Sequence, residues 1–149
     1  MKSNDLSDVS YCGFFCKDCW VKKEEFSRSA KDLLNKAKAE ELKQLSKGLP
    51  QLSPGLKGLS HYDQFIEFLK AACLITCCRN CRGGGGFSTC AIRDCCRQRQ
   101  LPGCWDCDEY TSCSKISWLE PAHPGAAIKN LDMIRDAGIQ NFREGEKYW

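Results

Sequence analysis

Apolar residues recur at helical spacing in three segments of the chain that contain few cysteines. In residues 29–46, leucines and alanines form a stripe among lysines and glutamates, which predicts an amphipathic helix. Gly48 and Pro50 are predicted to end this helix. Residues 49–59 contain further glycine and proline, and they are predicted to form a connecting loop.

A second helix is predicted to start at Ser60, where Asp63 follows at a capping distance. Its predicted buried face consists of Phe65, Phe68, Leu69 and Ala72. The same periodicity places Cys73 and Cys77 four residues apart on one side of the helix. Four consecutive glycines at residues 83–86 cannot hold a helix, and they predict a flexible loop.

The third helix is predicted to begin near Pro124 and to end at Gly138 in a left-handed cap. Its expected core face is Ile128, Leu131 and Ile134, and the expected packing residues of the tail beyond it are Phe142, Tyr148 and Trp149. The sequence shows no strand pattern of useful length. The predicted fold is therefore a single small domain over residues 1–149, mostly α-helical, with irregular loops stabilised by metal.

Cysteine is the unusual component, with 13 among 149 residues. The polar N-terminus lacks the apolar stretch of an export signal, and no segment has the length of a membrane span, so we expect a cytoplasmic protein. Thiols stay reduced in the cytosol, where dense cysteine indicates metal or redox chemistry. The net charge of +3 is too small to suggest nucleic acid, and no membrane interaction is expected.

The spacing of the cysteines predicts metal binding, because two cysteines separated by two residues form a turn whose sulfurs converge on one ion. Three such pairs are present: Cys16 with Cys19, Cys78 with Cys81, and Cys104 with Cys107. Further cysteines lie close to each pair in sequence. The ten predicted metal ligands are Cys12, Cys16, Cys19, Cys78, Cys81, Cys90, Cys95, Cys104, Cys107 and Cys113.

Ten thiols suffice for two closed sites of four ligands, and two zinc ions are the expected content. Three ions would need donors from among Cys73, Cys77, Cys96, His61 and His123. The sequence does not assign the four ligands of each site, and both histidines are predicted to be surface or capping residues. Basic residues near the cysteines either offset the thiolate charge or form a solvated face: Lys17, Arg79, Arg82, Arg93, Arg97 and Arg99.

An iron-sulfur cluster is the alternative to zinc. The C-x3-C-x2-C spacing from Cys12 to Cys19 also occurs in radical S-adenosylmethionine enzymes, but the chain has neither the length nor the pattern of their barrel. Several C-x2-C pairs spread through a helical chain are typical of structural zinc, which the sequence favours.

The same segments resemble an uncharacterised cysteine-rich family, domain-of-unknown-function family 3795. The likeness lies in residues 11–19, 78–81, 90–95 and 104–113, and it continues in residues 130–142. The resemblance implies a small metal-binding protein, and it implies no established reaction or substrate. The additional Cys73, Cys77 and Cys96 and the glycine run depart from the family pattern.

Three functions are compatible with these patterns. The first is a non-enzymatic zinc module that presents a surface to a protein partner, with aromatic candidates Trp20, Trp105, Tyr110 and Trp118. The second is an iron-sulfur or thiol-redox protein, and the third is a zinc-knuckle binder of nucleic acid. Acidic residues near Cys107 disfavour the third. No catalytic residues are predicted, which favours a function other than catalysis.

Overall fold

The chain divides into two compact units in the computed structural model, which describes residues 6–19, 21, 24–75 and 80–149. The cysteine unit comprises Met1–Lys22 and Cys78–Trp149, and the helical unit comprises Lys23–Cys77. The protein is mostly helical, as the sequence predicts. The prediction of a single domain over residues 1–149 stays a prediction, because compactness does not decide whether two units unfold together.

The helical unit contains three α-helices: α1 (Glu25–Ala37), α2 (Glu40–Leu52) and α3 (Tyr62–Ala72). A 3-10 helix over Pro54–His61 joins α2 to α3. The buried core of this unit comes from α1 and α3: Ala30, Leu34, Ala37, Ile66, Leu69 and Ala72. The Tyr62 hydroxyl donates a hydrogen bond of 2.8 Å to the Ala37 carbonyl, which ties the start of α3 to the end of α1.

The prediction of one helix over residues 29–46 was wrong, because two helices span this region. The break lies at Ala39, whose ψ of 132° is extended. Gly48 and Pro50 do not end α2, and residues 49–59 are not a loop, since α2 continues to Leu52 and is followed by the 3-10 helix. Pro50 lies in the last turn, where its missing N–H removes a bond near the helix end rather than in its middle.

The predicted buried face of α3 was half right. Leu69 and Ala72 are buried, but Phe65 and Phe68 are exposed, and Ile66 takes their place in the core. An offset of one residue along a helix rotates a side chain by about 100°, which accounts for the error. The helix ends at Ala72, so Cys73 lies at its C-terminus, and Cys77 lies outside the described residues.

The cysteine unit contains α4 (Ala91–Gln98), the short α5 (Ser114–Ser117) and the long α6 (Ala126–Glu144). Helix α4, which begins directly after Cys90 and contains Cys95, was not among the helices predicted from the sequence. Short 3-10 turns over Cys81–Gly83, Cys104–Asp106 and Tyr110–Ser112 connect these elements. Within the described ranges, extended pairing is limited to one bridge between Val9 and Phe15.

Helix α6 follows Gly125 and is interrupted at Gly138, whose φ of 82° is the left-handed value predicted for a cap. The first helical segment therefore ends at Gly138 as predicted, although a ψ of 160° there differs from that of a left-handed cap, and a second helical segment follows to Glu144. Leu131 and Ile134 are buried as predicted, while Ile128 is half-buried.

The tail packs back onto the cysteine unit as predicted. Phe142 is fully buried, and the Trp149 ring stacks on Phe14 with centroids 5.8 Å apart. The backbone of Tyr148 exchanges two hydrogen bonds of 2.9 Å with the buried side chain of Asn130. None of the helices in the described ranges is long and apolar enough to cross a membrane.

Candidate metal centre

Nine of the ten predicted ligands can be placed, and all nine lie in the cysteine unit. They are Cys12, Cys16, Cys19, Cys81, Cys90, Cys95, Cys104, Cys107 and Cys113. Cys78 lies outside the described residues. Cys73 belongs to the helical unit rather than to the cysteine unit, and it packs against the α1 and α3 core.

The first group of thiols consists of Cys12, Cys81 and Cys90. The pKa of the Cys12 thiol is raised to about 11, chiefly by burial and to a smaller extent by negative charge on Cys81 and Cys90. Burial likewise raises the pKa of Cys81, with a smaller contribution from Cys90. Three thiols that influence each other in this way would repel one another as thiolates, and a bound cation would remove that repulsion.

Hydrogen-bond donors are already directed at the first group. The Ser10 hydroxyl lies 3.2 Å from the Cys12 sulfur, and it lowers the pKa of that thiol. The backbone amides of Phe14 and Tyr11 lower the pKa values of Cys12 and Cys81, respectively, by hydrogen bonding. Amide donation to sulfur spreads the thiolate charge and is characteristic of the loops around metal-bound cysteine.

Gly13 makes the turn after Cys12 possible. Its φ of 86° is left-handed, and a Cβ there would lie 3.1 Å from the Leu131 side chain. Glycine adopts this conformation at no steric cost. The chain can therefore turn tightly after Cys12 and bring Gly13 against α6.

Two arginines lie beside the first group, in agreement with the predicted basic surroundings. The Arg82 guanidinium donates bonds of 2.6 Å to the carbonyls of Val9 and Pro102, and it stacks 4.2 Å above the Tyr11 ring. The positive charges of Arg82 and Arg93 both lower the pKa of Cys81. The described contacts thus place two cations near a thiol, where they favour its ionised form.

Arg93 is the more deeply buried of the two, with 6% of its surface exposed. Its guanidinium donates to the carbonyls of Gly85, Phe87 and Ser88 at distances of 2.7 to 3.1 Å. The Asn80 side chain also accepts a bond of 2.7 Å from the Gly83 amide. The glycine run predicted to be a flexible loop is thus anchored to α4 by a buried cation.

The second group of thiols lines a cavity of about 70 Å³ between α4 and the chain that follows it. The five cysteines in its wall are Cys95, Cys96, Cys104, Cys107 and Cys113. Cys95 and Cys96 come from α4, and Cys104 lies in the 3-10 turn Cys104–Asp106. Ile92 and Ile116 complete much of the wall, so the thiols face an apolar space.

Two sulfurs of the second group approach closely. The Cys96 and Cys104 Sγ atoms are 3.6 Å apart, and both residues are buried. This contact lowers the pKa of Cys96 and raises that of Cys104, because the pair shares one proton. Cys12 and Cys113 also raise the pKa of Cys104. The Cys104 amide donates a hydrogen bond of 2.8 Å to the Tyr11 carbonyl, which places the two groups beside each other.

Arg99 lies at the edge of the second group. Its guanidinium donates to the Cys107 sulfur at 3.2 Å and to Glu109 at 3.3 Å. The negative charge of Cys107 is the largest cause of the raised pKa of Arg99. Arg97 and Lys17, which the sequence placed in the same basic surroundings, are exposed.

In the part of the chain that the structure describes, the thiols do not form a complete metal site. No three histidine, cysteine, aspartate or glutamate side chains there have the geometry to hold an ion. Cys16 lies on the same loop as Cys12, with its sulfur 4.0 Å from the Phe14 carbonyl, and Cys19 is half-buried. The described cysteines that form no disulfide include Cys12, Cys19, Cys73, Cys81, Cys90, Cys95, Cys96, Cys104, Cys107 and Cys113.

The ten predicted ligands do not include Cys96, which the sequence offers only as a possible donor to a third ion, and it lies in the wall of the cavity. Ile92 and Cys96 are four residues apart, and this spacing indicates that Cys96 lies on the buried face of a helix. His61 is exposed at the start of α3, whereas His123 is half-buried and packs its ring 4.7 Å from Phe14.

The four aromatic candidates divide between core and surface. Trp105 and Tyr110 are buried, and Trp20 lies outside the described residues. Trp118 is 56% exposed and contacts the exposed Phe87 edge to face at 5.2 Å. The Tyr110 hydroxyl donates to Asp132, and the pKa of Tyr110 is raised by burial and by that contact.

These features define a small, mostly helical, cysteine-rich protein. The family model "Protein of unknown function (DUF3795)" matches residues 8–118, and the chain belongs to that family. The expected resemblance is thereby confirmed, although the likeness in residues 130–142 lies beyond the match. No curated protein and no solved structure matches the chain significantly.

Proposed function

We propose that this protein is a zinc-binding accessory or interaction module, in which cysteine thiolates of the cysteine unit hold two structural ions. The observation that carries the proposal is the gathering of eight described thiols into two adjoining groups within one unit. Cys73, the described cysteine of the helical unit, joins neither group.

The donor set suits zinc. Thiolates bind zinc in closed tetrahedra, with amide donors and cations around them to offset the charge that four sulfurs bring. Amides of Tyr11 and Phe14 and the side chains of Arg82, Arg93 and Arg99 would fill those roles. A bound ion would supply structure rather than hydrolysis, because a closed site leaves no position for water.

Local chain geometry also favours structural sites. The thiols lie in loops, in 3-10 turns of three residues and in an eight-residue helix, none of which is stable alone. Ions that join such elements contribute folding free energy directly. The first group has three thiols, so a closed site there needs a fourth donor, and Cys16 lies on the same loop as Cys12.

The interaction role is supported by the exposed pair of Phe87 and Trp118. Exposed aromatic rings are frequent anchors of protein interfaces. Phe87 belongs to the loop that Arg93 holds, so the position of its backbone depends on the same unit that would bind the metal. The proposed partner is another protein that contacts this aromatic pair.

The test is elemental analysis of protein purified without oxygen, combined with a count of free thiols and a visible spectrum. The proposal expects two zinc ions per chain, a colourless solution and thiols that react fully only after chelation. A brown protein containing iron and sulfide would replace zinc with an iron-sulfur function. Protein that contains no metal under these conditions would remove the proposal.

A further inference from the structure

The second group of thiols offers a feature that the spacing of the C-x2-C pairs does not predict. Cys96 lies outside those pairs, yet its sulfur is the one found 3.6 Å from the Cys104 sulfur. Only 2% of the Cys96 surface is exposed, and its side chain faces the cavity wall shared with Cys95, Cys107 and Cys113.

The sulfur separation distinguishes between kinds of site. In a tetrahedral tetrathiolate with metal–sulfur bonds of about 2.3 Å, two sulfurs lie about 3.8 Å apart. In a disulfide the two sulfurs are about 2.05 Å apart. In a [4Fe–4S] cluster each cysteine binds a different iron, so its cysteine sulfurs are held farther apart than one tetrahedral edge, whereas a [2Fe–2S] cluster places two cysteines on one iron. The observed 3.6 Å agrees with the edge of a mononuclear tetrahedron.

The surroundings of the pair supply the remaining donors. Cys104 and Cys107 belong to one C-x2-C turn, in which the Cys107 amide donates to the Cys104 carbonyl at 3.0 Å. Cys113 lies close enough to influence Cys104, and Cys95 precedes Cys96 on α4. Two further thiolates from this wall would complete a tetrahedron around an ion at the centre of the cavity.

We infer that Cys96 is a metal ligand and that it forms, with Cys104, one edge of a zinc site in the cavity between α4 and the loop after it. The inference rests on the proposed function and deepens it, because it assigns a site to a cysteine outside the predicted set. It also makes α4 part of the metal site, so that one ion joins a helix to the 3-10 turn Cys104–Asp106.

Zinc content tests the assignment in the wild type and in two matched variants purified without oxygen. Cys96→Ala is expected to bind one zinc ion fewer than wild type, whereas Cys73→Ala, in the helical unit, keeps the full content. Cobalt substitution gives a second readout, because loss of the site removes its share of the thiolate-to-cobalt absorption. Alanine keeps the position apolar, so packing is changed little.

The outcomes separate the inference from the function on which it rests. Full zinc content in folded Cys96→Ala overturns the inference and leaves the proposed function intact. Wild type without zinc overturns both. A disulfide between Cys96 and Cys104 in protein isolated without oxygen overturns the inference, since those sulfurs could not then bind an ion.

If Cys96→Ala does not fold, the wild type still provides a decisive measurement. Thiols are titrated with a mercurial, and the modified cysteines are mapped as zinc is released. Modification of Cys96 and Cys104 together with the release of one zinc equivalent supports the site. Modification of Cys96 with no zinc release overturns it.

Discussion

In the helical unit, α1 and α3 pack through alanine, leucine and isoleucine side chains, whereas in the cysteine unit five thiols line one cavity beside α4. The first arrangement is stable through burial of apolar area in helices of 11 to 13 residues. The cysteine unit also has a buried apolar core, to which Phe15, Leu131 and Phe142 belong. Its thiols, however, lie in loops, turns of three residues and an eight-residue helix, which are not stable alone. We expect bound metal to add a second source of stability to the cysteine unit, which the helical unit does not need.

Removal of metal is the strongest way to test this comparison. With zinc chelated, the cysteine unit is expected to lose ordered structure, because each structural ion contributes about 10 kcal/mol or more of folding free energy. Hydrogen exchange then rises throughout residues 80–149. The amides of α1 and α3 are expected to remain protected.

Zinc added back to the chelated protein provides the control, since it should restore the original exchange pattern. Equal loss of protection in both units would show that the helical unit also depends on the metal. Unchanged exchange in residues 80–149 would show that the structure of the cysteine unit does not depend on the metal.

Leu34→Ala is expected to have the next largest effect, this time in the helical unit. Leu34 is 8% exposed and packs in the core of α1 and α3. Truncation of a buried leucine leaves a cavity and costs about 2–5 kcal/mol. Denaturant unfolding monitored by circular dichroism measures the loss, and the zinc content is expected to stay at the wild-type value.

Leu52→Ala serves as the matched control, because Leu52 is 81% exposed at the end of α2. Its unfolding free energy is expected to lie within about 0.5 kcal/mol of wild type. A similar loss in both variants would contradict the core described for the helical unit.

Residue patterns predicted the two units unequally well. The periodicity of leucine and alanine predicted helices near α1, α3 and α6, because an amphipathic face repeats at a fixed interval. It did not predict the break between α1 and α2, since the extended backbone at Ala39 has no marker such as glycine or proline. It also predicted that Phe65 and Phe68 are buried, whereas Ile66 is the buried residue. Side chains of similar hydropathy lie next to each other in this segment, so the pattern does not decide between two neighbouring faces.

The candidate site was predicted in its residues but not in its grouping. Cysteine spacing identified thiols near each other in sequence, yet Cys12, Cys81 and Cys90 meet through tertiary folding. Cys96 escaped because a buried cysteine and an apolar core residue follow the same helical pattern. Long-range proximity is set by packing, which local spacing does not contain.

Gly103→Ala tests the cysteine unit apart from its thiols. A Cβ at position 103 would lie 2.1 Å from the Trp105 ring, and that ring is buried and cannot easily move. Overpacking of this kind costs about 1–3 kcal/mol. Because Cys104 is the next residue, weaker zinc retention during a chelator titration is expected as well.

Gly48→Ala is the matched control in the helical unit. Its added Cβ meets nothing within 4 Å, and the position lies inside α2. Alanine in a helix interior is expected to stabilise the protein by about 0.5–1 kcal/mol. Stability changes of opposite sign in the two variants would support the packing described around Trp105, and equal changes would contradict it.

Arg93→Met is expected to have the smallest and most local effect. Methionine fills a similar apolar volume but cannot donate to the carbonyls of Gly85, Phe87 and Ser88. Those carbonyls lie in an exposed loop where water can replace the lost bonds, so the expected cost is about 1–2 kcal/mol. Hydrogen exchange should rise in residues 83–89 before any change appears in α6.

Arg97→Met on the same helix is the control, because Arg97 is exposed and its charge is equally lost. If both variants release zinc to a chelator at the wild-type rate, Arg93 acts on the loop alone. Faster release from Arg93→Met, but not from Arg97→Met, would show that the buried cation also stabilises the thiolate charge near Cys81. That result would extend the contrast with the helical unit, whose buried core contains no arginine among the described residues.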